Sequence, residues 1–579
     1  MYDSVNKLIC KLLVSAGEIR ALAAEWRHLL ALHPHPESFY DLAWTIAGLV
    51  DPHLNPLAPA VFEDGRLIGV LPLGLRQNQL EFIGISFADY NDLLCIPERK
   101  TEILSLMLAS LRQSSAASSW HRLMLVNVRD DSLLRQALCE SGLRKQFWET
   151  RAYPCPYIDF SGGKDALIAK FIAKKSLVRH AKGLNCKGVV AFEVLRDYSA
   201  VIPYLERFCE QQVIRRAASG QPSHLRHEEP RRALAGLMCD LAAQGNLRFA
   251  VLTLNGDPAA FHFGFVYGRK YYWYKPSFQI DLWDDSPGEV LIRDLLISLR
   301  GEPSVILDFT IGNEAFKGRF TNGASNTFIL HHDFGWRRHL YPLAQRIRRC
   351  LPRNHSILTA LLRLKRLSVQ TIRATWDLLT LAKHPSKWPR FFYTRRTVIV
   401  FRAPCESRPV SLPSDCKIVI DQFAHLAHLV LQGKTPYNWN DIQKLFARLR
   451  AGDHVHVLME QERVAHIAWS GIRTEIQAEY ELGTPRALKL PEPHVLIYDC
   501  WTAPAERGRG IYSHMLWHIC AYYAGQVAAS TIFCTESNNS SIRGIEKAGF
   551  RRFAALSLTR WLVIGKCWRQ REVSDAGSE

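Results

Sequence analysis

The stretch that decides the fold is Cys500–Leu516, CWTAPAERGRGIYSHML. An apolar, strand-like run ends where it starts and a helical run begins where it ends, with Arg507, Gly508, Arg509 and Gly510 between them. A surface turn needs one glycine. Two glycines alternating with arginines suit a loop whose bare N–H groups come up against an anion. At a strand-to-helix junction, successive amides and the positive end of the helix dipole hold a phosphate. Gly508 and Gly510 let the backbone approach closely, and Arg507 and Arg509 are expected to add charge-assisted contacts. No Gly-Lys-Ser/Thr follows, so this is not a Walker loop, and it lacks the three glycines of a dinucleotide fingerprint.

Around the loop the pattern is regular. RTVIVFRAP (396–404) is a β-branched run and hence a strand, and DQFAHLAHLVLQG and DIQKLFARLRAG have helical spacing and end on glycine. HVHVLMEQERVAHIAWSGIR is a hairpin about Gln461-Glu462-Arg463, and HVLIYDCWT is a near-continuous apolar strand buried on both faces. After the loop come a helix closed by Gly525, the strand STIFCTES, the helix NSSIRGIEKAG and terminal strands in FRRFAALSLTRWLVIGKCW. The order is β-α-α-β-β-β-α-β-α-β with room for one more strand, a mixed sheet with helices on its faces.

With this order, the loop resembles the R/Q-x-x-G-x-G/A pyrophosphate loop of the GNAT acyltransferase superfamily. TESNNSSIRGIEKAGF is similar to the family's N-x-x-A…Y-x-K-x-G-F segment, with Asn538, Lys547 and Gly549-Phe550 at the matching places. The resemblance covers about 396–570. It implies an α/β (α+β) fold and acetyl-CoA, or another acyl-CoA, as co-substrate, with no metal. Cys500, Trp501, Thr502, Arg507, Gly508, Arg509, Gly510, Ile511, Tyr512 and Asn538 are the implied cofactor contacts. Two departures stand out. Tyr512 takes a place usually held by Gly or Ala, and Ile545 stands where the family often has the tyrosine that protonates the departing thiolate.

Acyl transfer needs an acceptor beside the thioester, a base, and a donor for the developing oxyanion. Candidate bases are Glu479 and Glu481 in AEYELGT, and Asp499 if its side chain turns into the cleft. Nothing arranges a histidine to activate Cys500, and His454/His456 lack a third metal ligand, so they are read as structural.

The N-terminal part repeats a grammar without repeating residues. LAPAVFEDGRLIGVLPLGLRQ and NLRFAVLTLNGDPAAFHFGFVYGRKYYWYKPSF are hairpins signalled by Asp64-Gly65 and Asn255-Gly256. Two α/β halves, 1–155 and 156–341, are expected. Phe261, His262, Tyr274, Ser286-Pro287-Gly288, Asp308-Phe309, Gly312, Glu314 and Lys317 together resemble the CelD-like acyltransferase domain, a FemAB-related double GNAT fold. Some of its members are linked to cellulose or exopolysaccharide production. Ser286-Pro287-Gly288 is read at a strand-to-helix junction as a second phosphate loop. Asp308 and Lys317 are read as meeting an acceptor or each other, and His262 as a core histidine.

The chain has 579 residues, a hydrophobic share of 47% and a charged share of 22%, the proportions of a globular protein. Its 73 Lys+Arg against 55 Asp+Glu leave +18, which admits nucleic acid, anionic membrane or phosphate-bearing small molecules as partners. About fifteen Lys/Arg and one acid, Asp377, lie between Arg337 and Arg396. Segment 342–395 is therefore read as a basic helical linker, either a solvated face or a surface for peripheral contact with anionic lipid. No nucleic-acid motif accompanies the charge, which disfavours that partner. Fourteen cysteines without a CxxC pair, no apolar run long enough to span a bilayer, and a start unlike a signal peptide point to the cytoplasm, on this linker reading peripheral to the inner membrane. The expected organisation is a double GNAT unit, the linker, a GNAT domain over 396–570 and a disordered tail over 571–579. The expected activity is acyl transfer from acyl-CoA to a small-molecule or carbohydrate acceptor. The rivals are FemAB-like aminoacyl transfer from charged tRNA and a non-catalytic acyl-CoA-binding scaffold of a polysaccharide synthase.

Overall fold

A computed structural model describes residues 8–114, 119–312, 314, 316–333, 393–406, 415–477, 487–561 and 565–572. Linker 342–395 therefore lies outside the described residues except for 393–395, and the tail 571–579 except for 571 and 572. The chain divides into two compact units, the first from 8–216 and 221–333 and the second from 217–220 and the residues from 393 on.

The second unit is built on an eight-stranded mixed sheet. Its order is Cys416–Ile420, His454–Glu460, Arg463–Gln477, Ala487–Thr502, Ala529–Thr535, Tyr393–Pro404, Arg551–Trp561 and Gly565–Glu572. Each strand meets its neighbour antiparallel except Ala487–Thr502 with Ala529–Thr535, which run parallel through the crossover helix Ile511–Tyr522. Period-two alternation makes both faces apolar. Ile399 and Phe401 join Val495, Ile497, Met515, Ile519 and Ile545 on the side of that helix. Val398 and Val400 join Ile476, Leu488, Leu496 and Leu556 on the other side. Every predicted strand and helix of this region is present. Two features differ from expectation. Cys416–Ile420 is an additional edge strand, and the first strand of the unit lies in the middle of the sheet, between Ala529–Thr535 and Arg551–Trp561.

The first unit carries an eleven-stranded mixed sheet and a four-stranded one. Both predicted hairpin turns form. Asp64 and Gly65 (φ 48° and 82°) and Asn255 and Gly256 (54° and 87°) adopt the left-handed pairs that match strand twist. Two of the clusters that fill the unit flank its sheets. One gathers around Leu73, Phe82, Leu104 and Leu123, the other around Tyr271, Leu291, Leu307 and Phe309. The expected division between 155 and 156 falls inside the strand Trp148–Asp159, which pairs with Ile306–Asp308 on one side and Gly323–Asp333 on the other. The large sheet thus runs on through that point.

Candidate functional site

The Arg507–Gly510 loop follows a single short turn, Pro504–Glu506, and opens the helix Ile511–Tyr522. Gly508 (φ 82°) and Gly510 (φ 78°) both sit in the left-handed region, where a side chain is strained. Among the described residues, none of the main-chain N–H groups from Gly508 to Ser513 has a hydrogen-bond acceptor. Four orphan donors are ordinary at a helix start; here the loop before it extends the row. The Lys547 ammonium ends 3.9 Å from where a Cβ on Gly510 would lie and makes no ion pair among the described residues. Backbone amides, dipole and ammonium converge on one anion-sized place.

The arginines behave differently from expectation. Arg509 is bound by Glu460, at 2.8 and 3.0 Å, and by Glu506, so it braces the loop rather than facing an incoming anion. Arg507 is exposed, and its only hydrogen bond among the described residues is a long one, 3.4 Å, to the Thr502 carbonyl. Asn538 is the N-cap of helix Asn539–Lys547, its Oδ1 accepting from the Ser541 N–H at 3.1 Å, and Ile511 is buried in the core.

Beyond the loop the sheet opens. Ala487–Thr502 and Ala529–Thr535 are paired only at Val495–Ile497 with Ser530–Ile532, so from Tyr498 onward the strands part. Asp499 has φ 51° and lies at a register break, a bulge that leaves Trp501 opposite Ile467 and Thr502 opposite His466. Its carboxylate accepts from Arg448 Nη1 at 2.6 Å and Tyr437 Oη at 3.0 Å. Asp499 is therefore an anchor for two side chains rather than a free base. Glu479 and Glu481 lie outside the described residues.

A cavity of about 730 Å³ opens beside this bulge, lined among others by Tyr437, Arg448, Arg473, Glu475, Tyr498 and Asp499. Arg448 lies over the rings of Trp469 (5.2 Å) and Tyr498 (5.1 Å). Burial, then the Asp499 charge, raises the Tyr437 hydroxyl; burial, then the bond to Asp453 at 2.6 Å, raises that of Tyr498. Both remain neutral donors at pH 7. Of these side chains only Asp499 was foreseen, because the others come from four separate segments whose local patterns carry no signal.

Tyr512 does not crowd the loop. Its ring turns onto Gly544, where any Cβ would stand 2.6 Å from it, and stacks on His466 at 5.6 Å. The hydroxyl ends against Cys500 and Ser541, close to Cys534, where the two strands part. Burial raises this phenol, and burial likewise raises the Cys500 thiol, which argues against a nucleophilic thiolate. Ile545 is fully buried. His454 bonds Asp421 at 2.5 Å and His456 bonds Ser470 at 2.8 Å, so both are structural.

In the first unit, His262 is a core histidine. It stacks on Trp273 at 4.1 Å, accepts from the Tyr274 N–H, and is drawn down to about 3 by burial. Asp308 accepts from Tyr90 Oη at 2.9 Å and from the Thr310 N–H, while Lys317 pairs with Glu314 at 2.9 Å, so the two do not bond each other. Ser286-Pro287-Gly288 follows a short turn, Ile280–Asp285, not a strand. The Glu289 carboxylate occupies the first turn of its helix and pairs with His180 and Arg319, which opposes a phosphate there.

Fold and loop define the class: α/β units with mixed sheets, one of them carrying an amide-lined loop at a parted pair of parallel strands. Residues 431–550 match the acetyltransferase (GNAT) family and 173–318 the acetyltransferase (GNAT) domain, so the chain carries two GNAT regions. No curated protein matches significantly. Similar solved structures include FemX (12% identity, TM-score 0.40, 55% of this chain and 98% of that one). A tandem GNAT protein from the clavulanic acid biosynthesis pathway is another (14%, 0.35, 57% and 99%). L-PGS from Bacillus licheniformis is a third (10%, 0.35, 57% and 96%).

Proposed function

We propose that the chain is an acyl-CoA-dependent acyltransferase whose C-terminal unit passes an acyl group, acetyl in the first instance, to an amine or hydroxyl. The supporting observation is the run of acceptor-free amides from Gly508 to Ser513 beneath Lys547, a cradle for the diphosphate of coenzyme A. The acyl chain would enter where the strands part, and amides at the Asp499 bulge are the donors for the oxyanion. The acceptor would occupy the adjoining cavity, with Glu475 taking its proton as the new bond to the acyl carbon forms. As the C–S bond breaks, the Tyr512 hydroxyl would give its proton to the thiolate, the part that Ile545 cannot play.

On resemblance to CelD-like proteins, the acceptor class is a carbohydrate or envelope precursor, and segment 342–395 would hold the protein against anionic lipid. Among the described residues no helix is long and apolar enough to cross a membrane. Calorimetry with acetyl-CoA on the wild type and on Gly510→Trp tests the loop. An acceptor screen with free-thiol detection tests turnover. Label transferred from aminoacyl-tRNA, with none from acetyl-CoA, would replace this reading by aminoacyl transfer.

A further inference from the structure

The helix Lys175–Asn185 belongs to the first unit and packs one side on it. Leu177, Ala181 and Leu184, spaced four and three apart, are buried, and His180 bonds Glu289 at 2.9 Å. The opposite stripe is Lys175, Val178, Arg179 and Lys182, at i, i+3, i+4 and i+7, and all four are exposed. Lys170, in the last turn of the preceding helix Lys164–Ile172, and Lys187, just past this one, are exposed as well.

No carboxylate stands on the helix itself, whose sequence is KSLVRHAKGLN. Lys170, Lys175, Arg179 and Lys182 make no ion pair among the described residues. The acids nearby are already engaged: Glu289 by His180 and Arg319, Asp285 by Lys187 at 2.6 Å, and Asp165 by Arg300 at 3.6 Å. Asp281 and Asp284, exposed in the same turn as Asp285, stand toward the Lys187 end.

This arrangement works against the helix that carries it. Lys175 and Arg179 are like charges four apart and Arg179 and Lys182 three apart, pairs that destabilise a helix. Lys174 and Lys175 stand at its positive end, with no acid in the first turn to offset the dipole. An ordinary soluble surface intersperses its signs. Within the row of cations Val178 is 50% exposed, and Val189, a few positions past the helix, is 75% exposed. Cations without counter-charges, with an apolar side chain among them, call for a partner that is both anionic and apolar.

We propose that this helix face is a docking surface for an anionic lipid bilayer. The ammonium and guanidinium groups sit among the headgroup phosphates, and Val178 enters the boundary between headgroups and acyl chains. The exposed valine selects lipid over the other abundant polyanion, nucleic acid, whose backbone offers it nothing. The helix also presents no aromatic ring on which a base could stack. The face lies on folded structure in the first unit. It is separate from any contact made by segment 342–395, and it does not depend on the acyl-CoA reading.

Co-sedimentation of the full chain with vesicles tests this, using phosphatidylcholine alone and phosphatidylcholine mixed with phosphatidylglycerol, in about 0.1 M salt. Binding to the mixed vesicles only is the expected result. It should weaken about hundredfold in Lys175→Gln/Arg179→Gln/Lys182→Gln, since each cation near an anionic surface contributes about fivefold. Val178→Ser should weaken it about fourfold, the transfer of one methyl-sized group. The triple variant should be at least as stable as wild type, because like-charge pairs are removed, and should bind acetyl-CoA unchanged. Vesicle binding equal to wild type in the triple variant places the lipid contact elsewhere, segment 342–395 included, and overturns the proposal. If that variant keeps its vesicles but no longer retards polyuridylic acid on a gel, the face belongs to nucleic acid. Failure of the wild type to bind mixed vesicles overturns the proposal too. Failure of acetyl-CoA to bind would sink the acyl-CoA reading and leave this one standing.

Discussion

The Arg507–Gly510 loop and the helix Lys175–Asn185 show two ways of preparing for an anion. At Gly508–Ser513 the donors are main-chain amides, preset by two left-handed glycines, and one lysine stands over them. On the helix the donors are long side chains in one outward stripe, with no carboxylate among them. Amides carry no free charge and converge on one place, so the loop suits a single compact group. Ammonium charges act across water and suit a surface that carries many anions. A scaffold built from backbone persists when single side chains change; a row of side chains does not.

The largest effect is expected where backbone approach is blocked. Gly510→Trp puts a ring where His514 and Lys547 already lie within 4 Å, over a backbone with φ 78°. Acetyl-CoA binding should fall by about two orders of magnitude or more, the loss of several charge-assisted contacts at once. Thermal denaturation should show the fold retained. Affinity within a few-fold of wild type would break the contrast between backbone and side-chain sites.

Next is Tyr512→Phe. If the hydroxyl at the parting of the strands protonates the thiolate, kcat should drop by about 10²-fold with little change in KM for acetyl-CoA. A fall in both, or in neither, would leave the tyrosine as packing against Gly544 and His466.

The response to salt sharpens the comparison further. Going from about 0.1 M to about 1 M salt shortens the screening length from about 10 Å to about 3 Å. Vesicle binding through Lys175, Arg179 and Lys182 should fall about tenfold or more over that range. Acetyl-CoA, gripped by amides at contact distance, should lose only about threefold. Equal losses in co-sedimentation and calorimetry would erase the distinction between the two sites.

How much of this was legible differs between the two sites for a physical reason. The loop could be read because left-handed backbone demands glycine and the demand is local, as it is for the Asp64-Gly65 and Asn255-Gly256 turns. The order of strands could be read from alternation. The place of Tyr393–Pro404 inside its sheet could not, because pairing is a choice among distant partners that no window contains. Cys416–Ile420 is five residues at an edge, too short to show a period. Lys175, Arg179 and Lys182 are close in sequence, but only the burial of Leu177, Ala181 and Leu184 shows that their side of the helix faces out. Ser286-Pro287-Gly288 misled for the opposite reason. Its composition suits a phosphate loop, but Glu289 fills that helix start.

The smallest effect should come from the residue that looks most functional in sequence. Arg509 stands between the two glycines, yet Glu460 and Glu506 hold its guanidinium, and Glu460 reaches it from the end of the strand His454–Glu460, 49 positions away. Its positive charge is thus largely offset before any ligand arrives, and what it contributes is loop geometry. Arg509→Ala would leave Glu506, which is 7% exposed, without its partner, so the cost should appear as lower thermal stability. Coenzyme A affinity should change by no more than about threefold, the scale of a screened surface pair. Lys547→Met removes an ammonium that makes no ion pair among the described residues and should cost about tenfold in affinity with little effect on stability. Measured together by calorimetry and thermal denaturation, the two variants should move in opposite columns. The reverse pattern would mean that Arg509 releases its carboxylates when coenzyme A binds, and that the loop's charge, not its amides, carries recognition.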